Sequence, residues 1–186
     1  HPLKNLNVWS DGGMVVTNSI DLDKRIKLLR NHGLVDRDNV KELGFNSRLD
    51  TFQAVVGNWL IPQARNISAK RIENAKSLDS GLSQIPQISI PNRPPEMRIV
   101  FHLYIVFAEN RDELISFLLK NEIEAKVHYP IPIYKQPALA KFVSKTNYPI
   151  TDYQAKNIIS LPCDQHLKPN QIQEMIRAVK TFYGIK

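Results

Sequence analysis

The chain has 186 residues, 42% of them hydrophobic and 23% charged, the balance of an ordinary globular protein with room for one domain or one and part of a second. Its net charge of +7 comes from basic residues scattered through "DLDKRIKLLR", "KRIENAK" and "KFVSKTNYP". None is interleaved with aromatics as on a nucleic-acid platform, so the charge reads as solvated helix faces, with a mild field suited to an anionic small substrate or cofactor. No apolar run approaches the roughly 20 residues of a membrane span, and the first residues have no signal-peptide pattern. One cysteine, Cys163, excludes an internal disulfide framework and offers no metal-site spacing. A soluble, cytoplasmic protein without metal, membrane or nucleic-acid partner is expected. Cys163 itself, in "SLPCDQ", has no candidate base nearby and reads as a small buried hydrophobe.

Residues 13–17, "GMVVT", predict a short buried strand. A helix follows, with Asn18 or Ser19 as its cap, Asp21 and Asp23 in its first turn, an apolar face from Ile20, Leu22, Ile26 and Leu29, and Gly33 as its left-handed stop. The polar stretch up to Asn46 predicts a surface loop. From Asp50, the spacing of Phe52, Val55, Val56, Trp59 and Leu60 predicts a long helix that Pro62 interrupts and that resumes to about Ser80, where Gly81 ends it. The proline-rich "IPQISIPNRPPEMR" predicts extended chain and loop. "IVFHLYIVF" predicts a buried strand, "NRDELISFLLKN" an amphipathic helix, and "IEAKVHYP" another strand ending at Pro130. A proline-punctuated loop precedes two helices, "ITDYQAKNIISLP" and "KPNQIQEMIRAVKTFYG", the last with Pro169 near its start and Gly184 after its end.

Lys4 is the most informative residue because of its setting. "HPLKNLNVWSDGGMVVTN" resembles the Schiff-base lysine segment of the StrS/DegT-like sugar aminotransferases, fold-type I enzymes dependent on pyridoxal 5'-phosphate. Pro2, Lys4, Asn5, Asp11, Gly12 and Gly13 carry the likeness, while Ser10 stands where glycine is usual. "RNHG" at 30–33, "GFNSRLDTFQAVV" at 44–56, "FHLYIV" at 101–106, "VHYPIP" at 127–132 and "SLP" at 160–162 follow in the family's order. The resemblance therefore spans essentially the whole chain.

The resemblance implies an α/β fold, the C-terminal part of such an enzyme. Residues 1–62 would be the end of the cofactor-binding large domain, and 63–186 a connecting helix and a small C-terminal α/β domain. Lys4 would be the catalytic residue and would bind pyridoxal phosphate covalently, a role for which a neutral amine is required. Relatives that dehydrate sugars carry histidine there, so lysine favours transamination. Asn46 would reach the cofactor phosphate of the neighbouring subunit, implying a homodimer with shared active sites; alone, it reads as a turn or cap. Arg48 and His128 would contact substrate, Arg48 equally serving as an anchor. His102 reads as a core or sheet-edge residue, Trp9 as a buried aromatic, and Tyr134 stands where the family often has histidine. The reaction implied is amination of a nucleotide-linked keto-sugar with glutamate as donor. His1 lies almost on top of Lys4, so a complementary N-terminal segment is expected to supply the rest of the pocket. This chain alone would then be an inactive fragment, or else a binding or dimer-assembly domain of the same ancestry.

Overall fold

A computed structural model of the chain describes residues 4–143 and 147–185. They divide into two compact units, His1–Asn66 and Ile67–Lys186. No helix among the described residues is long and apolar enough to cross a membrane.

In the first unit, α1 (Ile20–Leu29) starts where Ser19 Oγ accepts the Leu22 amide at 3.3 Å, relieving one of the unpaired amides of a helix start. It ends at Arg30, after which His32 and Gly33 both take positive φ. Gly33 cannot be replaced there: a Cβ would fall 1.7 Å from the Glu42 carbonyl oxygen. A Cβ on Gly44 would likewise sit 2.3 Å from the Gly33 nitrogen, so the chain crosses itself backbone on backbone. This approach zips 45–47 onto the end of α1, with Phe45 N–H donating to Leu29 O, His32 N–H to Phe45 O and Ser47 N–H to Arg30 O. The next helix, α2 (Thr51–Leu60), runs through a 3-10 turn at Ile61–Gln63, where Pro62 interrupts the ladder as expected, into α3 (Ala64–Leu82).

The expected strand at 13–17 is not formed. Those residues carry no regular secondary structure and pair with no described strand, and Met14, Val15 and Val16 are exposed. A strand is stabilised by its ladder and by a covered face, and the first unit provides neither here. The apolar positions of α1 are likewise unburied. Trp9, expected inside, is 67% exposed, because a φ of +71° turns it outward against Phe52, with ring centroids 5.6 Å apart.

The second unit holds the core. A three-stranded antiparallel sheet has the order β1 (Ile88–Ser89), β2 (Tyr104–Ala108), β3 (Ile158–Leu161), with Tyr104 opposite Leu161 and Ile88 opposite Ala108. Along β2, Tyr104, Val106 and Ala108 alternate into the interior. They join Leu78 and Leu82 of α3, Leu114 and Leu118 of α4 (Arg111–Lys120), and Ile172, Met175, Ile176 and Val179 of α6 (Pro169–Phe182) in one apolar cluster. On the side of Phe107, Tyr153 of α5 (Pro149–Asn157) packs at 6.1 Å between ring centroids.

Several sequence expectations change here. "IEAKVHYP" forms a single bridge, Lys126 to Ser160, rather than a strand, because only that one residue reaches the edge of β3. The helix expected over 150–162 stops at Asn157, and its apolar end "IISL" becomes β3; a short apolar run has no decisive periodicity of its own. The ladder of "IVFHLYIVF" begins only at Tyr104, since Phe101 has positive φ. His102, just outside the sheet, is exposed rather than in the core. Gly81 does not end α3 but lies within it, facing Ile176.

Candidate functional site

Lys4 is exposed, at the start of a segment laid on α2. Val8 is 3% exposed, and its Cγ1 stands 3.4 Å from where a Cβ on Gly57 would be, so it packs directly over that point of α2. Gln53 ties the same segment down from the first turn of α2. Its Nε2 donates to Asp11 O at 3.1 Å, while its Oε1 accepts the Asp50 amide at 3.3 Å. Among the described residues, no hydrogen bond or ion pair engages the Lys4 amine. An accessible primary amine on an anchored segment can condense with an aldehyde.

Asn46 is held at the end of α1 by the backbone zipper and by its bridge to Asn31. Arg48 Nε donates to Asn46 Oδ1 at 2.9 Å, and its guanidinium also reaches Asn31 Oδ1 at 3.4 Å. A donor on Oδ1 fixes which way the amide faces, so the Nδ2 hydrogens point away from Arg48. The exposed Nδ2 is thereby a neutral, non-titrating donor suited to a phosphate oxygen. The chemistry of Lys4 and Asn46 fits an aldehyde-bearing phosphate cofactor. Arg48, one of the two residues expected to touch substrate, is occupied in orienting Asn46.

His128 belongs to the second unit. Its Nδ1 lies 2.9 Å from Ser160 Oγ on β3, leaving Nε2 as the ring nitrogen for another partner. It lines a cleft of about 580 Å³ with Tyr129, Ile131, Ile133, Gln136 and, from α5, Thr151 and Gln154. Beside His128, Gln136, Thr151 and Gln154 bring non-ionisable hydrogen-bonding groups set among apolar side chains, the pattern of a site for an uncharged part of a ligand.

Other polar networks were not legible beforehand. Asp152 accepts the Tyr134 hydroxyl through both oxygens at 2.7 Å and pairs with Lys135 Nζ at 2.7 Å. The Lys135 ammonium and the Tyr134 hydroxyl hold its carboxyl below the ordinary value. Tyr134, on which little rested, thus has a defined partner 18 residues away that no local pattern signals. Asp79 takes a bidentate contact from Arg93 at 2.8 and 3.0 Å and the Tyr104 hydroxyl at 2.7 Å; burial is the main cause raising that phenol's pKa, with the Asp79 hydrogen bond next. Arg71 of α3 donates to Gln165 and to the carbonyls of Phe101, His102 and Cys163. Cys163 is buried as expected, and burial pushes its thiol up to about 11. Among the described residues no cluster of three or more His, Cys, Asp or Glu side chains converges as for a metal.

Comparison with known proteins places these units. The backbone superposes on the crystal structure of S. venezuelae DesV in complex with a ketimine intermediate with a TM-score of 0.92, at 35% identity, over 98% of this chain and 49% of that one. A dTDP-3-amino-3,4,6-trideoxy-alpha-D-glucose transaminase of Streptomyces venezuelae is 35% identical over 98% of this chain and 48% of its own length. The UDP-N-acetyl-3-dehydro-alpha-D-glucosamine 3-aminotransferase of Acidithiobacillus ferrooxidans is 31% identical over 98% of this chain and 49% of its own. The fold is that of the C-terminal portion of an aminotransferase. The sequence pattern of the DegT/DnrJ/EryC1/StrS aminotransferase family matches residues 1–180, and the chain belongs to that family. It spans about half the length of the curated relatives it matches.

Proposed function

We propose that this chain is the C-terminal part of a pyridoxal-phosphate-dependent enzyme that aminates a nucleotide-linked keto-sugar, with glutamate as amino donor. The observation that carries the reading is the presence, in one compact unit, of an accessible Lys4 amine and an Asn46 amide oriented to donate. Relatives named as transaminases of dTDP- and UDP-linked sugars support the substrate class.

Bound pyridoxal phosphate supplies an aldehyde for the amine and a ring that stores the electrons left by proton removal. Lys4 Nζ would be the group that holds the cofactor, and as a free amine it would serve as the base and acid that takes and returns the substrate proton. Asn46 Nδ2 would donate to a phosphate oxygen of the neighbouring subunit's cofactor, while Arg48 holds that amide through its 2.9 Å hydrogen bond to Oδ1. His128 Nε2 and the neutral wall around it orient the uncharged portion of the nucleotide sugar. Residues 1–62 are the end of the cofactor-binding domain and 63–186 the connecting helix and small domain. The exposed Met14, Val15, Val16, Phe45, Phe52 and Trp59 support this reading, since so large an apolar surface on one unit calls for a covering partner. The remainder of the large domain and a second subunit are the partners proposed.

The test is turnover of a panel of nucleotide-linked keto-sugars with glutamate by the full-length protein, followed by mass spectrometry of the amino-sugar. Wild type forms product and Lys4→Ala does not. Substantial residual transamination by Lys4→Ala would remove Lys4 from the reaction.

A further inference from the structure

We infer that Asp152 is the positioning residue of the His128 cleft, fastening one wall to the other and so setting the grip on the uncharged part of the nucleotide sugar. The inference rests on reading that cleft as a substrate site.

The cleft has two walls of different origin. One is the irregular segment 128–136, which enters through the His128–Ser160 contact and contains the 3-10 turn Ile133–Lys135; Ile133, the first residue of that turn, and Gln136, just after it, line the cleft. The other is α5, whose Thr151 and Gln154 line the opposite side, along with Ala155. Asp152 lies between these lining residues in sequence, and its carboxylate takes three contacts from the turn: both oxygens from Tyr134 Oη and one from Lys135 Nζ, each 2.7 Å. The Tyr134 ring also packs on Tyr148, with centroids 4.8 Å apart. A proline-rich segment without a sheet ladder has few backbone bonds of its own here, Lys135 N–H to Pro132 O at 2.9 Å and Gln136 N–H to Ile133 O at 3.1 Å. The carboxylate is what converts a loose turn into a wall at fixed separation from α5. Pairing also neutralises Lys135 beside the cleft, keeping its edge free of an unpartnered cation that would favour the diphosphate over the sugar. The Lys135 ammonium and the Tyr134 hydroxyl that hold the Asp152 carboxyl in place also keep its pKa below the ordinary carboxylate value, favouring the charged form that makes the fastening.

The experiment compares wild type, Asp152→Ala and Tyr134→Phe in the full-length protein, by residue-level hydrogen exchange and by steady-state kinetics with the nucleotide-linked keto-sugar turned over by wild type. Tyr134→Phe leaves α5 untouched and guards against a folding defect in Asp152→Ala. In Asp152→Ala, exchange at the Lys135 and Gln136 amides rises several-fold, as expected for an exposed charged contact, while α3 and α6 amides are unchanged. KM for the sugar rises several-fold with kcat within about twofold and the glutamate KM unmoved; Tyr134→Phe shifts both readouts less, in the same direction. Unchanged exchange at the turn overturns the fastening. A loosened turn with an unchanged sugar KM overturns its role in substrate grip. Absence of turnover in wild type fails the transaminase reading instead, and the exchange result still decides whether Asp152 holds the turn.

Discussion

Replacing Gly81 by alanine sets two effects of known sign against each other. Gly81 lies inside α3, where alanine is favoured over glycine by about 1 kcal/mol on propensity. A Cβ there would stand 2.5 Å from Ile176 Cδ1 and 2.8 Å from both Cγ1 and Cγ2, against the roughly 3.5–4.0 Å of an ordinary carbon contact. Ile176 is 5% exposed and packed in the core, and its β-branch leaves essentially one rotamer in a helix. It cannot swing away, so α3 and α6 must part by about 1 Å locally, an overpacking cost of about 1–3 kcal/mol. The clash outweighs the propensity gain, and Gly81→Ala is destabilising by about 1 kcal/mol net. Urea unfolding followed by far-UV circular dichroism measures this, with Ile176→Ala and the double variant completing a cycle. Ile176→Ala alone costs about 2–5 kcal/mol, and the double variant is more stable than the sum of the singles, because the added methyl enters the space that Ile176 vacates. A raised unfolding midpoint for Gly81→Ala, or strict additivity in the cycle, would refute the packing argument.

Three further outcomes follow from the same geometry. Asn46→Ala in the full-length protein weakens pyridoxal phosphate retention by roughly tenfold or more, the range for a hydrogen bond to a charged group; Arg48→Met produces a smaller loss by freeing the amide, and equilibrium dialysis measures both. Arg111, buried at the start of α4, donates to the carbonyls of Ala155 and Ile158 at 3.3 and 2.8 Å. Arg111→Met leaves those carbonyls unsatisfied and costs about 1–3 kcal/mol in urea unfolding. Cys163, raised by burial from 9.0 to about 11, remains a thiol at pH 8 and resists iodoacetamide until urea unfolds the chain. Because its folded value is the higher one, its contribution to stability is intact below pH 9 and is lost as pH rises to about 11, a decline readable in the urea midpoint.

What could be read in advance was what short-range chemistry decides. Ser19 and Gly33 bracket α1, Pro62 breaks the long helix, and Gly184 takes positive φ after α6, each for reasons confined to a few residues. The failures lie where the deciding partner is distant. "GMVVT" has strand composition but no described strand beside it, and "IISL" becomes a strand only because β2 is there to pair with it. Gly81 has the look of a stop signal until Ile176 is placed against it. Of the candidate site, Lys4, Asn46 and His128 stood out through resemblance alone. The orientation of Asn46 by Arg48 and the hold of Asp152 on the 133–135 turn emerge only when the chain is folded. The long-range anchors Arg71 and Asp79 left no trace in spacing at all.

The most direct test of the central claim is borohydride reduction in the presence of pyridoxal phosphate, with intact-mass analysis and peptide mapping, on residues 1–186 alone and on the full-length protein. The account predicts one pyridoxyl adduct per full-length chain, located on Lys4, with weak or absent labelling of the isolated 186 residues. A full-length protein that gains no adduct, or gains it on another lysine, would contradict the assignment of Lys4 and leave a binding or assembly role as the better description of this chain.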